Sequence, residues 1–274
     1  MLEKIMYKNH VNEVLEFGTN GLFVNESDLH DFTWGITSKN NRISSFNRGV
    51  ISKSLPVVIA CASEEEGIEK RNKLFEIMEK DVLANKHGRI IIGDYYLKCF
   101  VTGSKKSDYL KTKRQLMISL AITTEFPHCW IRETITTFGY GAGMQGKNLD
   151  FNNDFPYDYA SELAAKPLNN TGFVPSNFRM NIYGPCVNPK VTIAGHDYEV
   201  SVSVAANEYL TIDSISKTIV LTHTDGRTTN CFNLRNKKSY IFEKMPAGVS
   251  NVISNTDFKY DITLLEERSE PKWT

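Results

Sequence analysis

Hydrophobic and polar residues alternate one by one along much of the second half of this chain. Tyr198, Val200, Val202 and Val204 alternate with Glu199, Ser201 and Ser203, and Phe258, Tyr260, Ile262 and Leu264 repeat the pattern near the end. Successive side chains of a strand point to opposite faces, so such runs set one face in a core and the other toward water or a partner. Asn188-Pro189, Gly195-His196 and Asp225-Gly226 punctuate the region as turns. Residues 177–274 are therefore expected to form a β-sandwich that holds a shape or presents a surface.

The first half mixes strands with one helix. Phe32, Trp34 and Ile36 alternate with Thr33, Gly35 and Thr37 as a half-buried strand would, and residues 55–60 form a short apolar run. Ser63 followed by Glu66 is a capping box, and Glu64, Glu65 and Glu66 suit the positive end of a helix dipole. The spacing predicts a helix over 64–86, with Ile68, Phe75, Met78 and Val82 on the core side, joined by Leu74 and the stem of Arg71. Lys86, His87 and Gly88 read as its end. Residues 90–92 and 95–102 read as a hairpin turning at Gly93-Asp94, and 103–110 as a polar loop. Leu116, Ile118, Leu120 and Ile122 mark a strand that Pro127 ends.

Residues 136–176 lack periodicity and are rich in Gly, Asn, Asp, Pro and Tyr. A stretch of this length is more often a domain connection or functional arm than a loop within a domain. The expected organisation is a mainly β chain. An α+β N-terminal domain spans 1–138 and carries the one long helix, a connector spans 139–176, and the sandwich spans 177–274.

Composition narrows the functional classes. The 274 residues suffice for two domains, and 41% hydrophobic content suffices for their cores. Lys plus Arg equals Asp plus Glu at 32 each. Residues 1–138 carry 19 basic and 17 acidic side chains and residues 139–274 carry 13 and 15, so neither half is a nucleic-acid binder by bulk charge. No export signal or membrane insertion is expected. Five dispersed cysteines without a C-x-x-C read as free thiols in a reducing compartment.

No catalytic, cofactor or metal site is expected. Gly141 to Gly146 fits G-x-G-x-x-G, but no helix signal follows to receive a phosphate, and a linker is the simpler reading. Asp150, Asn152 and Asp154 match the start of a calcium loop, yet Phe155 stands where the turn needs Gly and Ser161 where the bidentate Glu belongs. His30-Asp31, His196-Asp197 and His128-Cys129 are sequence neighbours, which strand geometry sends to opposite faces. Trp34, Trp130 and Trp273 read as core or interface anchors.

Several segments together resemble a known family. They are Lys147-Asn148-Leu149-Asp150-Phe151, Asp154-Phe155-Pro156-Tyr157-Asp158-Tyr159, Asn181-Ile182-Tyr183-Gly184-Pro185 with Asn188-Pro189, and Gly195-His196-Asp197-Tyr198. Glu208-Tyr209-Leu210-Thr211-Ile212-Asp213, Tyr240-Ile241-Phe242-Glu243-Lys244 and the closing run from Glu266 to Trp273 complete the set. The chain is similar to the distal tail (Dit) proteins of phages and prophages infecting Gram-positive bacteria, most specifically across 147–273. The resemblance implies a structural, non-enzymatic virion component without cofactors. It would form a homo-hexameric ring at the tail tip, assembled in the bacterial host cytoplasm. The N-terminal domain would build the ring and resemble tail-tube proteins. The C-terminal domain would be a galectin-like sandwich. Implied partners are the tail tube protein, the tail-associated fibre or lysin protein, receptor-binding or baseplate proteins, and the tape-measure protein nearby. DNA would pass through the lumen without specific nucleic-acid binding.

A ring needs two different matching faces on each subunit. The acidic helix start, with Glu64 and Glu65, and the basic cluster Lys105, Lys106, Lys111, Lys113 and Arg114 are the candidate interface residues. Two other readings remain open: the hub ring of a contractile, phage-tail-like bacteriocin particle, and a carbohydrate-binding module that reads the cell wall.

Overall fold

The computed structural model describes residues 4–24, 26–109, 115–125, 129–139, 167–255 and 258–272, the side chains of 107–109 excepted. It divides into two compact units, Met1–Arg132 with Glu267–Thr274, and Glu133–Glu266. The last residues of the chain thus belong with the first unit. The architecture is mainly β, with one long helix.

Unit 1 opens with β1 (Ile5–Lys8), β2 (Val14–Phe17) and β3 (Leu22–Val24). A hairpin of β4 (Gly35–Lys39) and β5 (Arg42–Asn47) precedes β6 (Ile51–Ala60). Helix α1 (Glu64–Ala84) leads to β7 (Gly88–Ile92), β8 (Tyr95–Tyr109) and β9 (Gln115–Thr124). In β10 (Trp130–Phe138) the chain passes into unit 2. β8 belongs to two antiparallel layers. Its residues 95–99 pair with β7, and its residues 100–109 pair with β9, which also pairs with β6 over ten residues. Register shifts after Val101 and Lys106 bend the strand between the layers, as bulges do at sheet corners. One core of Tyr7, Leu55, Ile59, Ile90, Leu97, Ile122 and Trp130, all 0–1% exposed, fills the space between them.

The expected polar loop at 103–110 is strand as far as Tyr109. Its bulges erase the period-two pattern, and Ser104, Lys105 and Lys106 point into solvent, so the run looks like a loop in sequence.

The helix begins where the capping box placed it. Ser63 Oγ accepts the Glu66 N–H at 3.2 Å, and Glu66 reaches back to the Ala62 N–H at 2.6 Å. It ends earlier than expected, at Ala84, with Asn85 as the left-handed cap at φ 49°. Gly88 is therefore no cap. A Cβ there would collide with the Asp81 carboxylate and the Tyr7 hydroxyl. That collision explains the glycine, because Asp81 is fully buried and Tyr7 donates to it at 2.5 Å. The backbone N–H and the Nδ1 of His10 meet its other oxygen at 2.8 and 2.5 Å. Burial, followed by the hydrogen bond to Asp81, pushes the Tyr7 phenol far above its ordinary pKa.

The face of the helix matches expectation only in part. Leu74 and Met78 are buried as expected, together with Ile77 and Asp81, while Ile68, Phe75 and Val82 are 54%, 52% and 42% exposed. The buried carboxylate breaks the apolar stripe, so a helical period drawn through hydrophobes alone is rotated away from Asp81 toward Ile68 and Val82.

Unit 2 contains β11 (Leu168–Asn170), β12 (Asn177–Tyr183), β13 (Cys186–Val187), β14 (Lys190–Ile193), β15 (His196–Glu199) and β16 (Ser203–Val204). Then come β17 (Tyr209–Asp213), β18 (Thr218–Thr222), β19 (Thr228–Asn230), β20 (Gly248–Ser250), β21 (Val252–Ser254) and β22 (Tyr260–Arg268), whose last two residues belong to unit 1. The order β19-β18-β17-β12-β22 makes one layer and β15-β14-β21 another. A single core that includes Met180, Ile182, Ile212 and Ile262 from the first and Val191, Ile193 and Tyr198 from the second joins them. The Phe178 and Tyr198 rings meet edge-on across it, 5.3 Å between centroids.

The run 198–204 is not one strand. β15 ends at Glu199, Val200 makes an isolated bridge to Arg235, and β16 pairs elsewhere, with β13. Tyr198, Val200 and Val204 nevertheless stay buried, because inward orientation persists while the chain changes sheets.

Several surface carboxylates of unit 2 are held as anions. Glu208 lies 2.7 Å from His223 Nδ1, and the other imidazole nitrogen is 2.9 Å from Thr229 Oγ1, tying three strand ends together. His223 and the Ala205 N–H lower the pKa of Glu208, and Lys190 and Thr192 lower that of Asp197.

Three outcomes follow from these contacts. Asp81→Ala strands the Tyr7 hydroxyl and His10 and should cost about 3 kcal/mol in urea unfolding, against about 1 kcal/mol for Tyr7→Phe. Gly88→Ala should destabilise the fold by about 1–3 kcal/mol through overpacking. Groups whose pKa falls on folding stabilise above their unfolded value and lose that contribution as pH drops. Thermal stability should therefore decline below about pH 4.5, and Glu208→Gln should flatten that decline.

Candidate assembly surface

The β4–β5 hairpin stands out because it lacks a core of its own. Asn40 and Asn41 both adopt positive φ, at 50° and 58°, which lets a two-residue turn close between Lys39 and Arg42. Ile36 lies opposite Phe46 in the ladder, and Ser38 opposite Ile43. Residues two apart share a face, so Trp34, Ile36, Ile43 and Phe46 form one apolar surface. The Trp34 and Phe46 rings meet edge-on at 6.3 Å. Every residue from 31 to 47 is exposed, and the four apolar side chains are between 39% and 60% exposed. The half-buried strand expected at 32–37 is thus an exposed arm beginning at Gly35. Its turn is legible in Asn40-Asn41 flanked by alternating residues.

The arm is held firmly at its base. Lys53 lies on the inward face of β6, 4% exposed, and its ammonium donates to the carbonyls of Asp28 at 2.8 Å, Leu29 at 3.0 Å and Asp31. Burial lowers the Lys53 pKa, with Asp28 and Asp31 opposing the shift. Arg48 stacks on Trp34, 4.1 Å from the ring centroid, and donates to Ser269 Oγ at 3.0 Å.

A second feature runs along α1. A groove of about 470 Å³ lies between the helix and strands β8 and β9, lined among others by Phe75, Val82, Val101 and Leu120. A further cavity of about 240 Å³ includes Cys61, Glu64, Ile68, Lys106 and Leu116. Arg71, Ser104 and Ile118 line both, so the two form one path beside the exposed stripe of the helix.

Of the charged candidates, one pair comes together and Lys105 lies apart. Glu64 and Lys106 line the same cavity of one chain. Glu65 is exposed at the helix start. Lys105 faces a different, shallow depression with Asp28, Ser54 and Ser119. Lys111, Lys113 and Arg114 lie outside the described residues, as do the glycine motif at 141–146, the Asp150–Asp154 run, His128 and Trp273. Trp130 is buried in the unit 1 core. His196 turns to Tyr240 O and Ser239 Oγ, at 3.0 and 3.1 Å, while Asp197 pairs with Lys190. All five cysteines are free thiols, and burial pushes Cys99 up to about 12. Among the described residues no cluster of three or more His, Cys, Asp or Glu could hold a metal ion, and no helix is long and apolar enough to cross a membrane.

No protein-family model matches the sequence, and no curated protein matches it. Nine chains of solved structures match by fold. One is the Dit protein of phage SPP1, described as a paradigm of the hub adsorption apparatus in phages infecting Gram-positive bacteria. It aligns with a TM-score of 0.61 at 10% identity, covering 98% of this chain and 100% of that one. Two structures of the phage P2 baseplate in its activated conformation, with Ca and with Sr, each contain a matching chain. Both align at 11% identity over 99% of this chain and 100% of the other, with TM-scores of 0.61 and 0.62. Over nearly its whole length, the chain has the fold of the phage distal tail (Dit) proteins.

Proposed function

We propose that this protein is a structural hub at the distal end of a phage tail, where it forms a hexameric ring between the tail tube and the host-recognition apparatus. The observation that carries this reading is the fold match along essentially the entire chain to a distal tail protein and to baseplate chains. Unit 1 builds the ring, and its sheet layers are the tail-tube-like part. Unit 2 is the outward, galectin-like platform to which receptor-binding or baseplate proteins attach. The tail tube protein, the tail-associated fibre or lysin protein and the tape-measure protein are the other neighbours. The role is assembly in the virion, without catalysis.

The exposed apolar face of the β4–β5 hairpin supports self-association. A two-stranded hairpin is marginal alone in water, and a contiguous exposed apolar surface marks an interaction site. Attraction between the Glu64–Glu65 end and the cluster Lys105, Lys106, Lys111, Lys113 and Arg114 is a minor part of the same proposal. Exposed pairs contribute under about 1 kcal/mol each, and Glu64 already shares a cavity with Lys106 of its own chain.

Purified full-length protein should give rings with a central lumen in negative-stain images and six chain masses by native mass spectrometry. Ile36→Asp with Phe46→Asp should leave circular dichroism unchanged and yield monomer. A wild-type protein that stays monomeric at micromolar concentration would overturn the ring.

A further inference from the structure

Resting on the ring reading, we infer that the groove beside α1 is the receptor for the β4–β5 hairpin of a second copy. The two surfaces lie on one unit and match in three respects. First, both are apolar where they are open. The arm presents Trp34, Ile36, Ile43 and Phe46, and the groove presents Ile68, Phe75 and Val82 above Val101 and Leu116. None of these side chains on the arm, and none of the three on the helix, reaches the core of its own chain.

Second, their lengths agree. The stripe from Ile68 to Val82 follows the helix for about 21 Å at 1.5 Å per residue, and strands of five or six residues reach about 17–20 Å. Two paired strands are about 5 Å apart, so the arm can lie along the groove with its apolar face down.

Third, the free end of the arm is basic. Residues 32–50 contain Lys39, Arg42 and Arg48 and no Asp or Glu. The groove itself is lined by Glu64 and Glu79 together with Arg71 and Lys106. Lys39 and Arg42 flank the turn, where they can meet the exposed Glu76 and Glu79 of the receiving helix.

The contact joins two different surfaces, so it is heterologous and propagates from subunit to subunit, as a ring requires. It also explains why the helix carries apolar residues on two sides. Leu74, Ile77 and Met78 serve its own core, and Ile68, Phe75 and Val82 serve the neighbour.

The test places a photoreactive benzophenone amino acid at Phe46 of the full chain and irradiates the purified oligomer. Cross-linked dimers whose peptides join position 46 to residues 64–84, 101–106 or 115–120 of another copy are expected. Phe75→Asp, on an exposed position, should convert the oligomer to monomer while leaving the circular dichroism spectrum unchanged. An oligomer cross-linked elsewhere, or unaffected by Phe75→Asp, overturns the groove assignment and leaves the ring standing. A monomeric wild type overturns both, and cross-links confined to single chains show the arm folding onto its own groove, which also overturns the proposal.

Discussion

The buried Asp81 carboxylate is the contact on which the geometry of unit 1 turns. A carboxylate without water is costly unless its oxygens are satisfied. Here Tyr7 serves one oxygen and the main chain and ring of His10 serve the other. These donors come from β1 and the turn after it, and Gly88 at the start of β7 leaves the space. The last turn of α1 is thereby fixed to two neighbouring strands. With that end fixed, Leu74, Ile77 and Met78 face inward, and Phe75 and Val82 on the adjoining flank border the groove toward β8 and β9. The open groove with Ile68, Phe75 and Val82 along it follows from where Asp81 is held.

A similar logic fixes the hairpin. Lys53 occupies an inward position on β6 where a hydrophobe would be usual, and three carbonyls from the segment before the arm satisfy it. Removing a buried cation's partners is expensive, so the segment is held at a defined place. The arm beyond it gains little from its own chain apart from the stacking of Arg48 on Trp34. A rigid base and an uncovered apolar face suit a part completed by another molecule. Less ordering is needed on binding than for a disordered strand, which lowers the entropic cost of association.

Much of the secondary structure was legible because local rules suffice for it. Ser63 and Glu66 mark the helix start, and alternation marks β9, β22 and the inward positions of 198–204. What was not legible depends on tertiary partners. No local rule says that Asp81 goes inside while Phe75 stays outside, since an apolar stripe looks the same whether it meets its own core or a neighbour's. The strand at 103–109 was hidden by bulges, whose extra residues shift the period. In the arm, Trp34 and Ile36 mark a strand, but their hydrophobicity does not say whether they are buried, and Asn40-Asn41 marks the turn. The site therefore lies where hydrophobic pattern and actual burial disagree, as expected where a surface is kept for function.

That disagreement bears on how an assembly of this kind forms. Net charge is zero over the whole chain, so long-range repulsion does little to oppose association. A single arm-in-groove contact orders only one hairpin and buries only a few large side chains, and so is expected to be weak by itself. In the proposed ring each subunit would make the contact twice, once as donor and once as acceptor. The last contact then forms within a molecule already assembled, at a high effective concentration. Weak pairwise contacts with cooperative closure allow a misplaced subunit to leave while a complete ring persists. The same exposed hydrophobes that would be an aggregation hazard on a solitary protein are then covered only when the geometry closes.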